Sequence, residues 1–387
     1  GCRKLLKRWH PFFFFFFEKK RMNTSTKLVL QAIKNFPPQM SWHYAQAFLM
    51  LAIYESAKRE NDEEIISWVK NKFDALILDN GDILGYNPED FNLDAINPGK
   101  LAFRFYSLTG DEKYKNVILK LYNQLQNQPR NRSQGFWHKK IYPWQMWLNG
   151  FYMYAPFYAR YGVEFGTKHD LHDLLVQIAL VESHFKDSKT GLLYQAWDES
   201  HKQLWVDTQN GCSPIIFARA VGWYALALVD ILDFIPNDKE HHQLRNLVLK
   251  SANSLVEPVI SCQDKSNGLW YQVMDRPNHK GNYHETSASA MFVNFLYKMQ
   301  RKHYLFENSA AVVDAAQAGY KGLCSKLIIS ENGEIHITGI CDKAGLGGNP
   351  YRDGSYKYYI EQPVVSDDYK GVAAFIYASL EHELRTL

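Results

Sequence analysis

Cysteine is scarce in this chain. The five present, Cys2, Cys212, Cys262, Cys324 and Cys341, are odd in number and widely spaced. No CxxC pair and no HExxH motif occurs, which argues against a zinc site and against a disulfide framework. A reducing compartment, the cytoplasm, fits best. Long apolar runs are missing too: none approaches the ~20 residues that cross a bilayer, so no membrane partner is expected. The formal net charge is only +3, with both signs spread along the chain, which argues against nucleic acid as a main partner. There is no nucleotide loop and no Gly-x-Ser-x-Gly elbow. The glycine cluster "GLGGNP" at 345–350 follows no clear strand and opens no clear helix.

The first segment, "GCRKLLKRWHPFFFFFFEKKRM", is basic, then apolar, then basic again. It lacks the small-residue cleavage site of a signal peptide, and its six-Phe run is too short to span a membrane. Residues 1–22 therefore read as an extension outside the core, with a lipid-anchored tail on Cys2 as the rival reading. Residues 23–387 read as a single domain, a length one large core can support.

Helical periodicity dominates that domain. Twelve segments carry it: 27–36, 42–60, 62–77, 98–109, 111–127, 147–161, 169–185, 215–235, 239–261, 285–304, 308–325 and 369–384. Ser41 stands where it can cap the second, and Pro98 suits the first turn of the fourth. The links near 61, 110, 162–168, 236–238 and 305–307 are short, whereas those at 78–97, 128–146, 186–214, 262–284 and 326–368 are long. In consecutive antiparallel helices every second connection lies at the same end. The pattern predicts an all-α (α/α)6 barrel of six helical hairpins with the long loops on one face. Short strands are expected within those loops, as in "LLYQAW" and "LWYQVM". Loops this long in a compact domain are functional or disordered, and their content of Trp, Tyr, His and Gly argues against disorder.

That face gathers Trp42 and Tyr44 at the start of the second helix, Asp94 in "FNLDAINPGK", and His138 and Lys139 in "GFWHKKIYP". It also gathers Trp147, Asn149 and Met153 from "WLNGFYM", Gln195 and Trp197 from "LLYQAWDES", and Phe217, Arg219 and Trp223 from "SPIIFARAVGWY". His284, Glu285, Asp353 and Lys370 complete it. Aromatic rings stack on the apolar faces of sugars, and Lys, Arg and His suit a sugar carboxylate, so the expected partner is an acidic oligosaccharide. Each residue also has a plain structural reading. Trp147 and Trp223 fit a helix core as well as a sugar platform. His138 and Arg219 fit satisfied buried partners, and Asp353 fits a turn before Gly354. Their joint placement favours a site.

From Ser41 to the C-terminus the chain resembles the unsaturated rhamnogalacturonyl hydrolases, glycoside hydrolase family 105, related to the unsaturated glucuronyl hydrolases of family 88. The resemblance rests on "LDAINPGK", "GFWHKKIYPWQMWLNGFYMYAPFYARYG", "AWDES", "RAVGWYALALVDILDFIP", "NYHETSASAMF", "GLGGNPYRDGSYKYYI" and "DYKGVAAF". It implies an (α/α)6 barrel, in agreement with the helix count, and a reaction that needs no metal or cofactor. In that reaction an aspartic acid protonates the C4=C5 double bond of a terminal unsaturated uronic acid and activates water, which adds at C5. The hemiketal so formed falls apart and releases the neighbouring sugar.

The same resemblance implies site residues. The family aspartate of "WLDG" falls on Asn149 of "WLNG", and a second family aspartate falls on Asp94. Gln195 stands where the family commonly has histidine, and Phe217 where it commonly has tryptophan. His138, Lys139, Trp147, Met153, Arg219 and Trp223 match. An amide neither donates an acidic proton nor serves as a base at neutral pH. Asp94 is thus the expected surviving catalytic carboxylate, with Asn149 marking the acid position. Trp42, Tyr44, His138, Lys139, Trp147, Met153, Gln195, Phe217, Arg219, Trp223 and Lys370 are the expected substrate contacts. The implied activity is release of a terminal 4,5-unsaturated uronic acid from short pectic oligosaccharides. The competing readings are an impaired or inactive acidic-sugar-binding protein of the same fold, and a lyase or epimerase with a Tyr or His base. A homodimer is compatible with the sequence.

Overall fold

A computed structural model describes residues 22–307 and 309–385. The N-terminal extension read at 1–22 lies, but for Met22, outside the described residues. Among the described residues twelve long helices occur where the periodicity places them: α1 Thr24–Asn35, α2 Tyr44–Glu60, α3 Glu63–Asp74, α4 Gly99–Thr109, α5 Glu112–Asn127, α6 Leu148–Glu164, α7 Lys168–His184, α8 Ala218–Phe234, α9 His242–Ser261, α10 Thr286–Arg301, α11 Ala310–Cys324 and, after the short α12 Tyr356–Ile360, α13 Tyr369–Leu384.

Burial sorts them into two rings. Along α8 nearly every side chain from Ala218 to Leu232 is buried, as on α6 and α10. By contrast α5 buries a stripe, Tyr114, Val117, Ile118, Leu121 and Leu125, at the three-to-four spacing of a helix with one face on a core. Helices buried along most of their length form the inner ring, α2, α6, α8, α10 and α13, together with α4, which is buried in its first turns and exposed from Ser107 on. Helices with one apolar stripe form the outer ring, α3, α5, α7, α9, α11 and α1. Each inner helix packs on an outer one, and α13 packs against α1, α2 and α10 to close the barrel.

Local chemistry marks the hairpin ends. Asn61 is left-handed (φ 55°), and Asp62 then caps α3 by accepting from the Ile65 amide. Gly110 (φ 67°) ends α4 before Asp111 caps α5. Thr167 and Asp170 form a reciprocal capping box on α7. One cap differs from expectation. The N-cap of α2 is His43, whose Nδ1 accepts from the Ala45 amide at 3.2 Å, while Ser41 lies two residues outside the helix.

The long loops form three two-stranded ladders. β1 Gln145–Trp147 pairs antiparallel with β2 Ala196–Asp198, with Trp147 opposite Ala196. β3 Leu327–Ile329 pairs with β4 Ile335–Ile337, and β5 Ile340–Cys341 with β6 Val364–Val365. The strand expected at "LLYQAW" is β2, displaced toward Asp198. "LWYQVM" makes isolated bridges only, Phe217 with Val273 and Tyr271 with His284.

Inside the barrel an aromatic partition crosses the bore. Phe48 of α2 meets Trp223 of α8 at 4.7 Å, and Tyr152 of α6 and Tyr377 of α13 each at 5.5 Å; Tyr152 also meets Trp223 at 4.9 Å. At the pole opposite the long loops, inner helices are joined by ion pairs. Glu55 of α2 holds Arg104 of α4 at 2.7 Å, and Lys298 of α10 holds Asp230 and Asp233 of α8 at 2.7 and 2.6 Å. Arg301 of α10 grips Glu381 of α13 through two bonds of 2.6 Å, and Arg59 of α2 reaches Glu383 of α13 at 2.7 Å.

Glu381 is only 9 % exposed, so removing its partner strands a desolvated charge. Arg301→Met should lower unfolding stability by about 2 kcal/mol, read as a lower urea midpoint at unchanged m-value. Lys357→Met, whose pair with Glu361 is 78 % and 61 % exposed, should change it by less than about 0.5 kcal/mol.

Candidate active site

Asp94 stands on a 3-10 turn, Leu93–Ile96, between the first long loop and α4. The turn is pinned on every side. The Asn92 side chain accepts from the Asp94 amide at 3.0 Å, and the Trp42 indole donates to the Ala95 carbonyl at 2.9 Å. The Leu93 amide donates to the His138 carbonyl at 3.1 Å, and the Asn97 amide group donates to the Tyr44 carbonyl at 2.9 Å. From the outer helix α5, Gln124 donates to the Asn92 carbonyl at 3.1 Å, and Gln128 donates to the carbonyls of Phe91 and Trp137 at 2.6 and 2.8 Å. The Asp94 carboxylate is thereby held against the "WHKK" loop.

There Lys139 Nζ lies 2.8 Å from Asp94 Oδ2, and His138 Nε2 lies 3.7 Å from Oδ1. Burial alone would push the Asp94 carboxyl up; the Lys139 ammonium, then His138, outweigh it and hold it below the usual carboxylate range. Burial pushes His138 down to about 4 against the pull of Asp94. At neutral pH the contact at 3.7 Å therefore joins an ionised carboxylate to a neutral imidazole and is not an ion pair. The His138 ring lies parallel to Trp147 at 4.8 Å, and Trp147 to Tyr142 at 4.6 Å. Gly150 makes this stack possible, because a Cβ at 150 would come within 2.4 Å of His138 Nδ1.

Asn149 follows one residue into α6. Its Oδ1 is buried without a hydrogen-bond partner, as are His138 Nδ1 and Gln195 Nε2. Three orphaned polar atoms in one neighbourhood mark a place where a ligand or water completes the bonding. Gln195 is fully buried. Its backbone carbonyl accepts from the Leu148 amide at 2.8 Å, and its Oε1 accepts from the Tyr359 hydroxyl, whose ring packs on Phe217 at 5.2 Å.

Across the opening, Lys370 Nζ sits 2.8 Å from Asp368, which caps α13. Burial, then Arg219, lowers the Lys370 ammonium. Arg219 itself is buried and engaged. It donates to the carbonyls of Cys341 and Asp342 at 2.5 and 3.3 Å, and lies 3.8 Å from Glu285, the cap of α10.

The structure thus brings together Asp94, His138, Lys139, Tyr44, Asn149 and Lys370, with Arg219 behind them. It does not present every expected contact. Trp223, Met153 and Phe217 are at most 1 % exposed, and Gln195 is 0 %. These four, expected as substrate contacts, are buried in the walls instead: Trp223 belongs to the partition, Met153 lies in the core, and Phe217 and Gln195 brace Tyr359. Trp42 supports the Asp94 turn through its indole bond to the Ala95 carbonyl. His43 went unnoticed in the sequence. It is exposed, its neighbours are Asp94, Lys370, Lys139 and Asp368, and its cap bond at Nδ1 leaves the proton on Nε2. The signal was its place between Trp42 and Tyr44.

All six inner helices start on this face. Their N-terminal dipole ends add a positive field to Lys139 and Lys370, which suits an anionic sugar. A helical toroid with buried acid, base and aromatic walls at the N-terminal end of its inner ring defines a carbohydrate-active hydrolase scaffold. Comparison with known proteins gives the family. The profile described as Glycosyl Hydrolase Family 88 matches residues 17–386, and the chain belongs to this family. A glycoside hydrolase from family 105 of C. acetobutylicum is 38 % identical, covers 94 % of this chain and 100 % of its own, and superposes with a TM-score of 0.89. The unsaturated rhamnogalacturonyl hydrolase YesR of Bacillus subtilis is 24 % identical over 292 residues, 73 % of this chain and 79 % of that protein. The unsaturated glucuronyl hydrolase of Bacillus sp. GL1 shares the fold, with a TM-score of 0.65 at 13 % identity. The chain is a glycoside hydrolase of the family 88 and 105 group.

His138 makes the site sensitive to acid. Its folded value near 4 lies below the ordinary 6.5, so the unfolded chain binds one more proton between those limits. Stability should therefore fall as pH drops from about 6.5 to about 4. His138→Gln should flatten that slope in urea titrations run at each pH.

Proposed function

We propose that the chain releases a terminal 4,5-unsaturated uronic acid of pectic type from short oligosaccharides, by hydration of the C4=C5 double bond. The observation that carries this reading is the ionised Asp94, held by Lys139 and His138 beside the orphaned amide of Asn149, on the face where six helix N-termini meet. Lys139 and Lys370 supply charge for the uronate carboxylate, and Tyr142 with Trp147 supplies an aromatic wall. YesR, by its name, acts on unsaturated rhamnogalacturonyl substrates, which favours a pectic ligand.

In this mechanism a water oxygen bonds to C5 while its proton passes to a carboxylate, and C4 receives a proton. The double bond is consumed; the C5 hemiketal opens by breaking the C5–O5 bond to a ketone, and the C1 hemiacetal so formed collapses to an aldehyde and releases the neighbouring sugar as an alcohol. Asp94 is well placed to take the water proton. It is a poor proton donor at neutral pH, because the Lys139 ammonium favours its charged form, and Asn149 has no acidic proton at all. That deficit favours a second reading, a protein that holds the acidic sugar but turns it over slowly.

The chain is taken as one catalytic domain from residue 23, acting in the cytoplasm on an oligosaccharide. The four described cysteines are free, with Cys212 and Cys341 buried, which supports a reducing compartment. Among the described residues no helix is long and apolar enough to cross a membrane.

The assay is loss of the ultraviolet absorbance of the double bond in an unsaturated galacturonyl-rhamnose disaccharide. Asn149→Asp should raise kcat by roughly 10²–10⁴-fold with little change in KM, the usual worth of a general acid. Asp94→Asn should abolish turnover in either background. Turnover by the unmodified chain equal to that of Asn149→Asp would refute the role given to residue 149. Tight binding without turnover in both would establish the second reading.

A further inference from the structure

Below the aromatic partition the bore opens at the pole opposite the catalytic face as a cavity of about 380 Å³. That lies within the range of small-ligand sites, roughly 300–1,000 Å³. Its wall carries eight cationic side chains against four carboxylates. Each carboxylate is already engaged: Glu55 by Arg104, Asp230 and Asp233 by Lys298, and Glu381 by Arg301. Arg59 and Arg160 turn to carboxylates outside the wall, Glu383 and Glu164, yet Arg59 keeps one buried nitrogen, Nη1, without a partner.

At the mouth Lys302 lies 3.6 Å from Asp233, and Lys58 is exposed on the last turn of α2; of the cations inside the wall, Lys100 is left over. It lies under the partition at the inner end, with Nζ 2.7 Å from the Tyr152 carbonyl and 3.4 Å from the centre of the Tyr152 ring. The carbonyl satisfies one of its three protons, and no described carboxylate lies within ion-pair distance of it. Burial holds its ammonium well below the usual lysine value, with Asp230 opposing and Arg104 adding to that shift. Cations in the last turns of α2 and α10 have a structural explanation, since they complement the negative ends of those helices. Lys100 has none of that kind. It occupies the first turn of α4, where the helix dipole is positive and a cation is disfavoured.

We propose that this cavity binds a small oxyanion, a carboxylate or a phosphate, with Lys100 as its inner anchor and Lys302 at the mouth. The site is separate from the catalytic face, from which Phe48, Tyr152, Trp223 and Tyr377 divide it, and it does not depend on the reaction assigned there.

The test is isothermal titration of the full chain with sodium phosphate and with sodium galacturonate, ionic strength held constant with sodium chloride. Lys139→Gln is the background, so that the cation beside Asp94 is removed and binding at the catalytic face is weakened. One saturable equivalent should persist there and weaken about tenfold or more in the added variant Lys100→Met, in line with loss of a charge-assisted bond. Binding of only one of the two anions identifies which oxyanion the site takes. Lys302→Gln, a side chain 40 % exposed and safe for folding, should weaken it about threefold. Absence of saturable binding for both anions overturns the proposal. So does unchanged affinity in folded Lys100→Met, or, should that variant not fold, unchanged affinity in Lys302→Gln.

Discussion

A helix of eleven to twenty residues cannot bury its apolar surface alone, so each one here pairs antiparallel with the next, and that pairing decides which pole every loop occupies. Short links turn at one pole and long links at the other. The inner helices all begin where the long links arrive, so charge, aromatic walls and helix dipoles collect at one end without any further device. The catalytic face is a result of chain direction before it is a result of particular side chains.

Within that face, three neighbouring groups are set to different protonation states by different means. Asp94 is ionised because the Lys139 ammonium outweighs its burial, and His138 is neutral because burial outweighs its carboxylate neighbour. Asn149 has no proton to lose. Separated protonation states of adjacent groups are how acid and base roles are divided in hydrolytic sites. Here a carboxylate, an imidazole and an amide stand side by side, one charged and two neutral.

Much of this was legible in the sequence, and the limits have physical causes. Helix positions followed from the 3.6-residue pattern, and the choice of pole followed from link lengths. The start of α2 was misread because a histidine can cap through Nδ1 as a serine does through Oγ. Asp94, His138 and Lys139 were legible from motifs whose spacing survives in the fold. Trp223, Phe217 and Met153 were not separable from core, because an aromatic or sulfur side chain at helical spacing looks the same whether it stacks on a sugar or on Phe48. The charged pole was invisible, since its pairs join residues 49 or more positions apart, as Glu55 with Arg104 and Arg301 with Glu381, and no local pattern records them.

The seal between the first and last helices carries one more implication. The Ser25 amide and hydroxyl both donate to Glu383, at 2.9 and 2.6 Å, so a two-bond clasp joins the first and last helices of the ring. A toroid of equivalent hairpins has no privileged starting point. Linking residues near 24 and 384 and opening the chain at another hairpin turn, such as the one at Gly110, would leave every neighbour in place. In this architecture the fold depends on the order of the hairpins around the circle.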